Sequence, residues 1–212
     1  DAYSETKYRS SYGLWSSQTT KLAPLYSQDE AQLSLNGLWV VNGKALSVLR
    51  YEGVSGSYSA YEIDLSSYGV SEIYDVASVE TGAYVATDYG LYWVGRDSVT
   101  SIDVAMLMNP TVTQLYHDSA NNQLWFAINS SLYNIDLSTP ETVVEVATID
   151  GMTGVRKIKK ANANEADQTL IILAEQEVIF FDPSLPVEES IRLPLNAYEV
   201  LKRAQGYYFA TD

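Results

Sequence analysis

The chain has 212 residues, 46% hydrophobic and 19% charged, a globular composition that can bury a sizeable core. Thirteen basic residues against 27 acidic ones leave a net charge of −14, which disfavours a general nucleic-acid binder and docking on an anionic membrane surface. The absence of cysteine excludes disulfides, thiolate metal sites and cysteine nucleophiles, and the single histidine, His117, excludes any site that needs two.

From its start at Asp1, which fits a processed product or an excised domain, the sequence reads as strands. Its longest apolar runs, such as 104–108 and 170–174, fall far short of the roughly 20 residues a spanning helix needs. Residues 38–41, Asn42-Gly43 and 45–49 read as a tight hairpin, with Asn-Gly supplying the two positive-φ positions of a type I′ turn. A second hairpin runs through 83–87, Asp88-Tyr89-Gly90 and 91–94. A third runs through 124–128, Asn129-Ser130 and 132–135, and a fourth through 170–174, Glu175-Gln176 and 178–181. Further apolar stretches flank each one, as at 112–116 before the third and 143–149 after it.

The hairpins repeat. Trp39, Tyr84, Trp125, Ile171 and Tyr208 occupy the same place in successive units, at steps of 45, 41, 46 and 37 residues. A repeat of about 42 residues carrying four strands has the size of a β-propeller blade, whose faces are covered only by packing blades radially. The markers Trp39, Tyr84, Trp125 and Tyr208 are therefore expected in the interblade core. The ending Tyr207-Tyr208-Phe209-Ala210-Thr211-Asp212 matches Ala83-Tyr84-Val85-Ala86-Thr87-Asp88, and the missing continuation appears in Tyr12-Gly13-Leu14-Trp15 and 21–26. The expected fold is an all-β, five-bladed propeller of 1–212. Blades at 31–70, 71–110, 111–152 and 153–195 are followed by a closing blade whose inner strands lie in 196–212 and outer strands in 1–30. The alternative is a segment of a larger ring.

Gly37-Leu38-Trp39-Val40, Tyr84-Val85-Ala86-Thr87-Asp88-Tyr89-Gly90-Leu91-Tyr92 and Gln123-Leu124-Trp125-Phe126-Ala127 resemble the cores of two-component-regulator-type propeller repeats. Leu132-Tyr133-Asn134-Ile135-Asp136-Leu137 is similar to a strand ending of YVTN-type propellers. The fourth repeat departs from the pattern, with Leu170-Ile171-Ile172-Leu173 where Trp is usual. The resemblance implies a propeller with a sensing, docking or scaffolding role, and it carries no catalytic residues across.

Nucleophile and phosphate motifs are missing: Gly53-Val54-Ser55-Gly56-Ser57 lacks the last glycine of an esterase elbow, and no glycine-rich loop ends in Gly-Lys-Ser. Carboxylates that could pair for glycoside hydrolysis are Glu30, Asp75, Asp118 and Glu199, none in a distinctive motif. The recurring Ile63-Asp64-Leu65-Ser66, Ile102-Asp103, Ile135-Asp136-Leu137-Ser138 and Phe181-Asp182-Pro183-Ser184 read as turns closed by the aspartate, against a ring of calcium ligands. Asn162, Asn164 and Asp167 form a polar loop, and no metal or cofactor is assigned to it.

Two groups remain as binding candidates. Arg156, Lys157, Lys159, Lys160, Lys202 and Arg203 make six of the thirteen basic residues, all on expected innermost strands, and define a positive sector or a rim paired with acids. Among 17 tyrosines, Tyr89 in a turn and Tyr58, Tyr61 and Tyr68 around the Gly/Ser-rich insertion are the exposed candidates. The expected function is a non-enzymatic binding or assembly module, extracellular, cell-surface or periplasmic, engaging a protein partner through one face. It binds no nucleic acid and inserts in no membrane. A lectin-like carbohydrate-binding propeller is the alternative, and a five-bladed glycoside hydrolase the third reading.

Overall fold

The computed structural model describes residues 19–29, 32–52, 57–95, 98–103, 109–140, 142–162, 168–204 and 206–211. Among them, five antiparallel sheets follow one another in chain order. The first holds β1 (Thr19–Asp29), β2 (Gln32–Asn42), β3 (Ala45–Glu52) and β4 (Ser57–Ile63). The second holds β5 (Ile73–Val79), β6 (Gly82–Thr87), β7 (Gly90–Val94) and β8 (Val99–Ile102). The third holds β9 (Leu115–Asp118), β10 (Gln123–Ile128), β11 (Ser131–Asp136) and β12 (Val143–Thr148). The fourth holds β13 (Lys157–Lys160), β14 (Leu170–Leu173), β15 (Val178–Phe181) and β16 (Ile191–Leu193), and the fifth β17 (Ala197–Arg203) and β18 (Gly206–Thr211). The four-stranded antiparallel meander is the repeat unit of a β-propeller, and four of them precede the two-stranded sheet.

The chain divides into two compact units, Asp1–Ile102 with Met108–Val112 and Asp103–Leu107 with Thr113–Asp212. In the first, Trp39, Val41, Leu46 and Val48 of the first sheet bury against Val76, Ala83, Val85, Tyr92 and Val94 of the second. In the second unit, Trp125, Ala127 and Leu132 meet Ile158, Leu170, Ile172 and Phe181. There, too, Ile171, Leu173 and Val178 meet Ala197 and Val200 of the fifth sheet. The second strand of each complete sheet has strands on both sides, and β6 is buried at all six positions. Fourth strands are wetter, and β16 is exposed throughout.

Four of the five markers, Trp39, Tyr84, Trp125 and Ile171, are no more than 3% exposed. Tyr208 departs from the expectation at 55% exposed. The reason lies in its face: Tyr207 and Phe209 turn toward Phe180 of the fourth sheet, so the side chain between them points the other way.

Two further expectations are corrected. Residues 21–26, expected in an outer strand of the closing blade, lie in β1 and pair with β2, with Leu22 opposite Val40 and Ala23 opposite Trp39. The first hairpin turns on Gly43-Lys44, with Asn42 opposite Ala45, and only Gly43 has a positive φ, of 62°. That single value at the first central position is the type II′ pattern, not type I′. Tyr12-Gly13-Leu14-Trp15, Glu30, Asn164 and Asp167 lie outside the described residues.

The aspartate-closed turns form as expected after Ile63, Ile135 and Phe181, while the residues that follow Asp103 lie outside the described residues. The amides of Ser66, Ser138 and Ser184 donate to the carboxylates of Asp64, Asp136 and Asp182 at 2.8, 2.9 and 2.9 Å. Hydrogen bonds from the serines hold the carboxyls of Asp64 and Asp136 below the usual range.

Candidate docking site

The best-defined surface feature is at one end of the second sheet. The β6–β7 turn places Asp88 and Tyr89 between Thr87 and Gly90, where the Thr87 hydroxyl accepts from the Tyr89 amide at 3.1 Å and donates to the Gly90 carbonyl at 2.8 Å. Asp88 then ties this turn to the segment entering β5. Its carboxylate accepts from the amides of Ser71 and Glu72, each at 3.0 Å, and from the Ser71 hydroxyl. Burial works against ionisation of Asp88, but the Ser71 hydroxyl and the two amides outweigh it and hold the carboxyl below its ordinary range.

This staple brings Tyr68, at the end of the 3-10 turn Ser66–Tyr68, beside Tyr89. The two are 40% and 42% exposed. Between them sits Gly69, with φ of +87°, where a Cβ would lie 3.0 Å from the Tyr89 ring. Any side chain there would be strained by its backbone and would push the ring away. Beneath the pair, Tyr92 is 2% exposed and its hydroxyl donates toward both the Tyr89 carbonyl at 3.2 Å and the Tyr68 carbonyl at 3.3 Å. Its ring meets Tyr68 edge-on at 5.7 Å. Burial, with the neighbouring Tyr89, Asp88 and Tyr68, raises the pKa of Tyr92, so that its proton stays in place as a donor.

Of the four candidate tyrosines, the structure therefore gathers two. Tyr58 and Tyr61 lie on β4, where Tyr58 packs against Tyr51 at 5.2 Å and Tyr61 stands opposite Val48. Gly69, Asp88 and Tyr92 carry no mark in the sequence as parts of a site. The phrase Thr87-Asp88-Tyr89-Gly90 announces the turn, but not the chain segment it holds.

The basic candidates are drawn into contacts inside the chain. Lys157 pairs with Glu199, and the Arg156 guanidinium lies 4.5 Å from the Tyr198 ring centre and donates to Asn196. Lys159 donates to the Val200 carbonyl at 3.4 Å, so Lys157 and Lys159 both turn toward β17. Lys160 turns the other way, to Asp118 on β9 at 3.1 Å. Lys202 sits 5.6 Å above the Tyr207 ring centre. Arg203 lines an open cavity of about 590 Å³ with Leu201, Ala204 and Tyr208.

The carboxylates weighed for glycoside hydrolysis are likewise held in pairs. Asp75 meets Lys21 at 3.4 Å, and Asp118 and Glu199 meet Lys160 and Lys157. Burial raises the pKa of Asp118 and Glu199, but their hydrogen-bond and lysine partners lower it further, leaving both below the ordinary range. That is the reverse of what a general acid needs. Among the described residues no cluster of three metal-ligating side chains forms, and no helix is long and apolar enough to cross a membrane.

No family model matches the chain, and no curated protein does. Solved structures do. The extracellular domain of BT4673 from B. thetaiotaomicron aligns with a TM-score of 0.59 at 13% identity, over 88% of this chain and 26% of that one. A chain of the nidogen/laminin complex aligns with a TM-score of 0.60 at 9% identity, over 89% of this chain and 71% of that one. The Neurospora crassa Pan2 WD40 domain aligns with a TM-score of 0.52 at 12% identity, over 84% and 50%. The chain thus spans about a quarter of the BT4673 domain. At such identities the likeness speaks to the fold, and it agrees with the sheets described above. This is a β-propeller repeat protein.

Proposed function

We propose that this propeller is a non-enzymatic docking module, engaging a protein partner through the end of its second sheet that carries Tyr68 and Tyr89. The observation behind this is the clamp beneath the pair: one buried hydroxyl, that of Tyr92, reaches both tyrosine carbonyls. Exposed tyrosines fixed in advance lose little freedom on binding, and tyrosine is enriched among the residues that dominate protein interfaces. An extracellular, cell-surface or periplasmic location rests on the acidic, cysteine-free composition.

A photo-crosslinking side chain at position 67, exposed beside Tyr68 and introduced in the source cell, tests this reading. The expected result is one stoichiometric protein adduct, lost in Tyr68→Ala/Tyr89→Ala with an unchanged melting temperature. Adduct formation indifferent to those substitutions would overturn it. The same rings could stack on a sugar, so a glycan that raises the melting temperature in the parent chain and not in the double variant would transfer the site to the lectin reading.

A further inference from the structure

Resting on that reading, we propose that the partner's contact segment is basic and sets an arginine against the Tyr68–Tyr89 surface. Asp88 adjoins Tyr89 in the turn, and Glu72 lies on the segment that Asp88 holds. Every donor to the Asp88 carboxylate is neutral: the Ser71 hydroxyl and the amides of Ser71, Glu72 and Asp88 itself. Such bonds fix a carboxylate without cancelling its charge.

Glu72 is exposed and is hydrogen-bonded by the neutral Tyr74 hydroxyl. The ion pairs among the described residues are Lys21–Asp75, Lys157–Glu199, Lys160–Asp118 and Arg192–Glu177, and none involves Glu72 or Asp88. The contrast with the second unit is direct, since Asp118, Glu177 and Glu199 there each have their own cation. Lys44, in the turn whose Gly43 carbonyl accepts from the Ile73 amide, acts on Asp64.

Two exposed tyrosine rings on a held backbone, beside two carboxylates with no cation among the described residues, suit a guanidinium better than any other side chain. Arginine stacks its plane on a tyrosine ring while its fork of donors reaches a carboxylate, whereas an ammonium is compact and more strongly hydrated. The net charge of −14 adds attraction for a basic segment and repels an acidic one.

The test is an NMR titration of the full chain with the peptide acetyl-Gly-Ser-Arg-Gly-Arg-Ser-amide, beside versions with lysine, glutamine or glutamate for arginine. The expected result is saturable shifts confined to 68–72 and 88–92, tightest for arginine and absent for glutamate. Glu72→Gln/Asp88→Asn should weaken binding of the arginine peptide about tenfold and flatten its salt dependence, since the guanidinium then stacks without a counter-charge. Asp88→Asn keeps an oxygen that accepts from the two amides.

Shifts elsewhere, or equal shifts for glutamine and arginine, would overturn the inference. If crosslinking at position 67 captures a partner that Glu72→Gln/Asp88→Asn binds as before, the docking reading stands and the basic segment falls. If Tyr68→Ala/Tyr89→Ala changes neither adduct nor titration, the docking reading falls with it.

Discussion

Lys160 of β13 and Asp118 of β9 face each other at 3.1 Å with side chains 5% and 4% exposed, a charge pair sealed between the first strands of neighbouring sheets. The Asn121 amide adds a 2.7 Å hydrogen bond to the same carboxylate. Removing one member leaves the other charged and buried, which costs about 3–5 kcal/mol, whereas replacing both by apolar groups costs far less. Lys160→Met should therefore lower stability by about that amount, and Lys160→Met/Asp118→Leu should recover most of it. Urea unfolding of the three variants checks this, and equal losses in the single and double variants would refute it.

The same pair sets an acid limit. Asp118 titrates below the ordinary aspartate value in the fold, because Asn121 and Lys160 outweigh the effect of burial. A carboxyl depressed by folding contributes fully above its unfolded pKa, near about 4, and loses that contribution as pH falls through the folded one. Stability should hold as pH falls toward about 4 and decline below it. In Lys160→Met the decline should shrink, because the partner that favours the ionised form has gone. Melting temperature against pH for both chains reads this out.

A second charge relationship emerges only when the sheets are aligned by register. Leu22, Val76, Leu115, Ile158 and Val200 face Val40, Val85, Phe126, Ile172 and Phe209 across the first two strands of each sheet. The residues just before them are Lys21, Asp75, Gln114, Lys157 and Glu199, and two neighbouring pairs, Lys21–Asp75 and Lys157–Glu199, are in contact. Glu199→Lys would set two lysines together, and Lys157→Glu/Glu199→Lys would restore the pairing with the signs exchanged. Such partly exposed pairs are worth about 0–1 kcal/mol, so both the loss and the rescue should be small and should fade in salt. Denaturation at low and high ionic strength measures them.

How much of this the sequence could disclose depends on how local each determinant is. Hairpins are legible because turn residues and alternation are set within a few positions, and the 42-residue step follows from Trp39, Tyr84, Trp125 and Ile171 recurring in one strand. The turn at Gly43 lies one position from where Asn-Gly suggests, since that dipeptide serves several turn types and the strand register decides. Residues 21–26 join a different sheet from the one expected because an apolar strand does not name its neighbour. Tyr68 and Tyr89 stand out separately, but what joins them is Asp88 reaching 17 residues back to Ser71. The basic residues look like a sector because their partners, Asp118 and Glu199, are distant in sequence.

Tyr92→Phe removes one hydroxyl and no packing. Its donor bonds to the carbonyls of Tyr68 and Tyr89 are long, at 3.3 and 3.2 Å, so the stability loss should be about 0.5–1.5 kcal/mol. The larger effect should be on the surface above it, with amide exchange at 68–70 and 89–90 accelerating more than in β5 or β6. Uniform acceleration across the second sheet would show that the hydroxyl supports the sheet and not the tyrosine pair.

Gly82 opens β6 where the neighbouring strand comes closest: a Cβ there would lie 2.3 Å from the Val94 carbonyl oxygen. Gly37, preceding Leu38 as Gly82 precedes Ala83, has the same constraint, at 1.9 Å from the Leu49 oxygen. Neither obstacle is a side chain that can swing aside. Gly82→Ala should therefore separate the ends of β6 and β7 and cost about 1–3 kcal/mol, where alanine at an unconstrained strand position would cost nothing. Thermal unfolding, with Gly206→Ala as a control that meets no atom within 4 Å but carries the strain of its φ of +145°, separates contact from backbone effects.

The marker position offers the sharpest comparison, because one site recurs in different surroundings. Trp125 is 3% exposed within the core shared by the third and fourth sheets, while Tyr208 is 55% exposed on the fifth. Truncating a buried tryptophan removes its transfer free energy and leaves a cavity, for about 3–5 kcal/mol. Trp125→Ala should reach that range, and Tyr208→Ala should stay within about 0.5 kcal/mol, as exposed substitutions do. Urea titration of both variants decides the matter. A Tyr208→Ala loss approaching that of Trp125→Ala would mean that the outer face of β18 is covered in solution, and that the fifth repeat is packed like the other four.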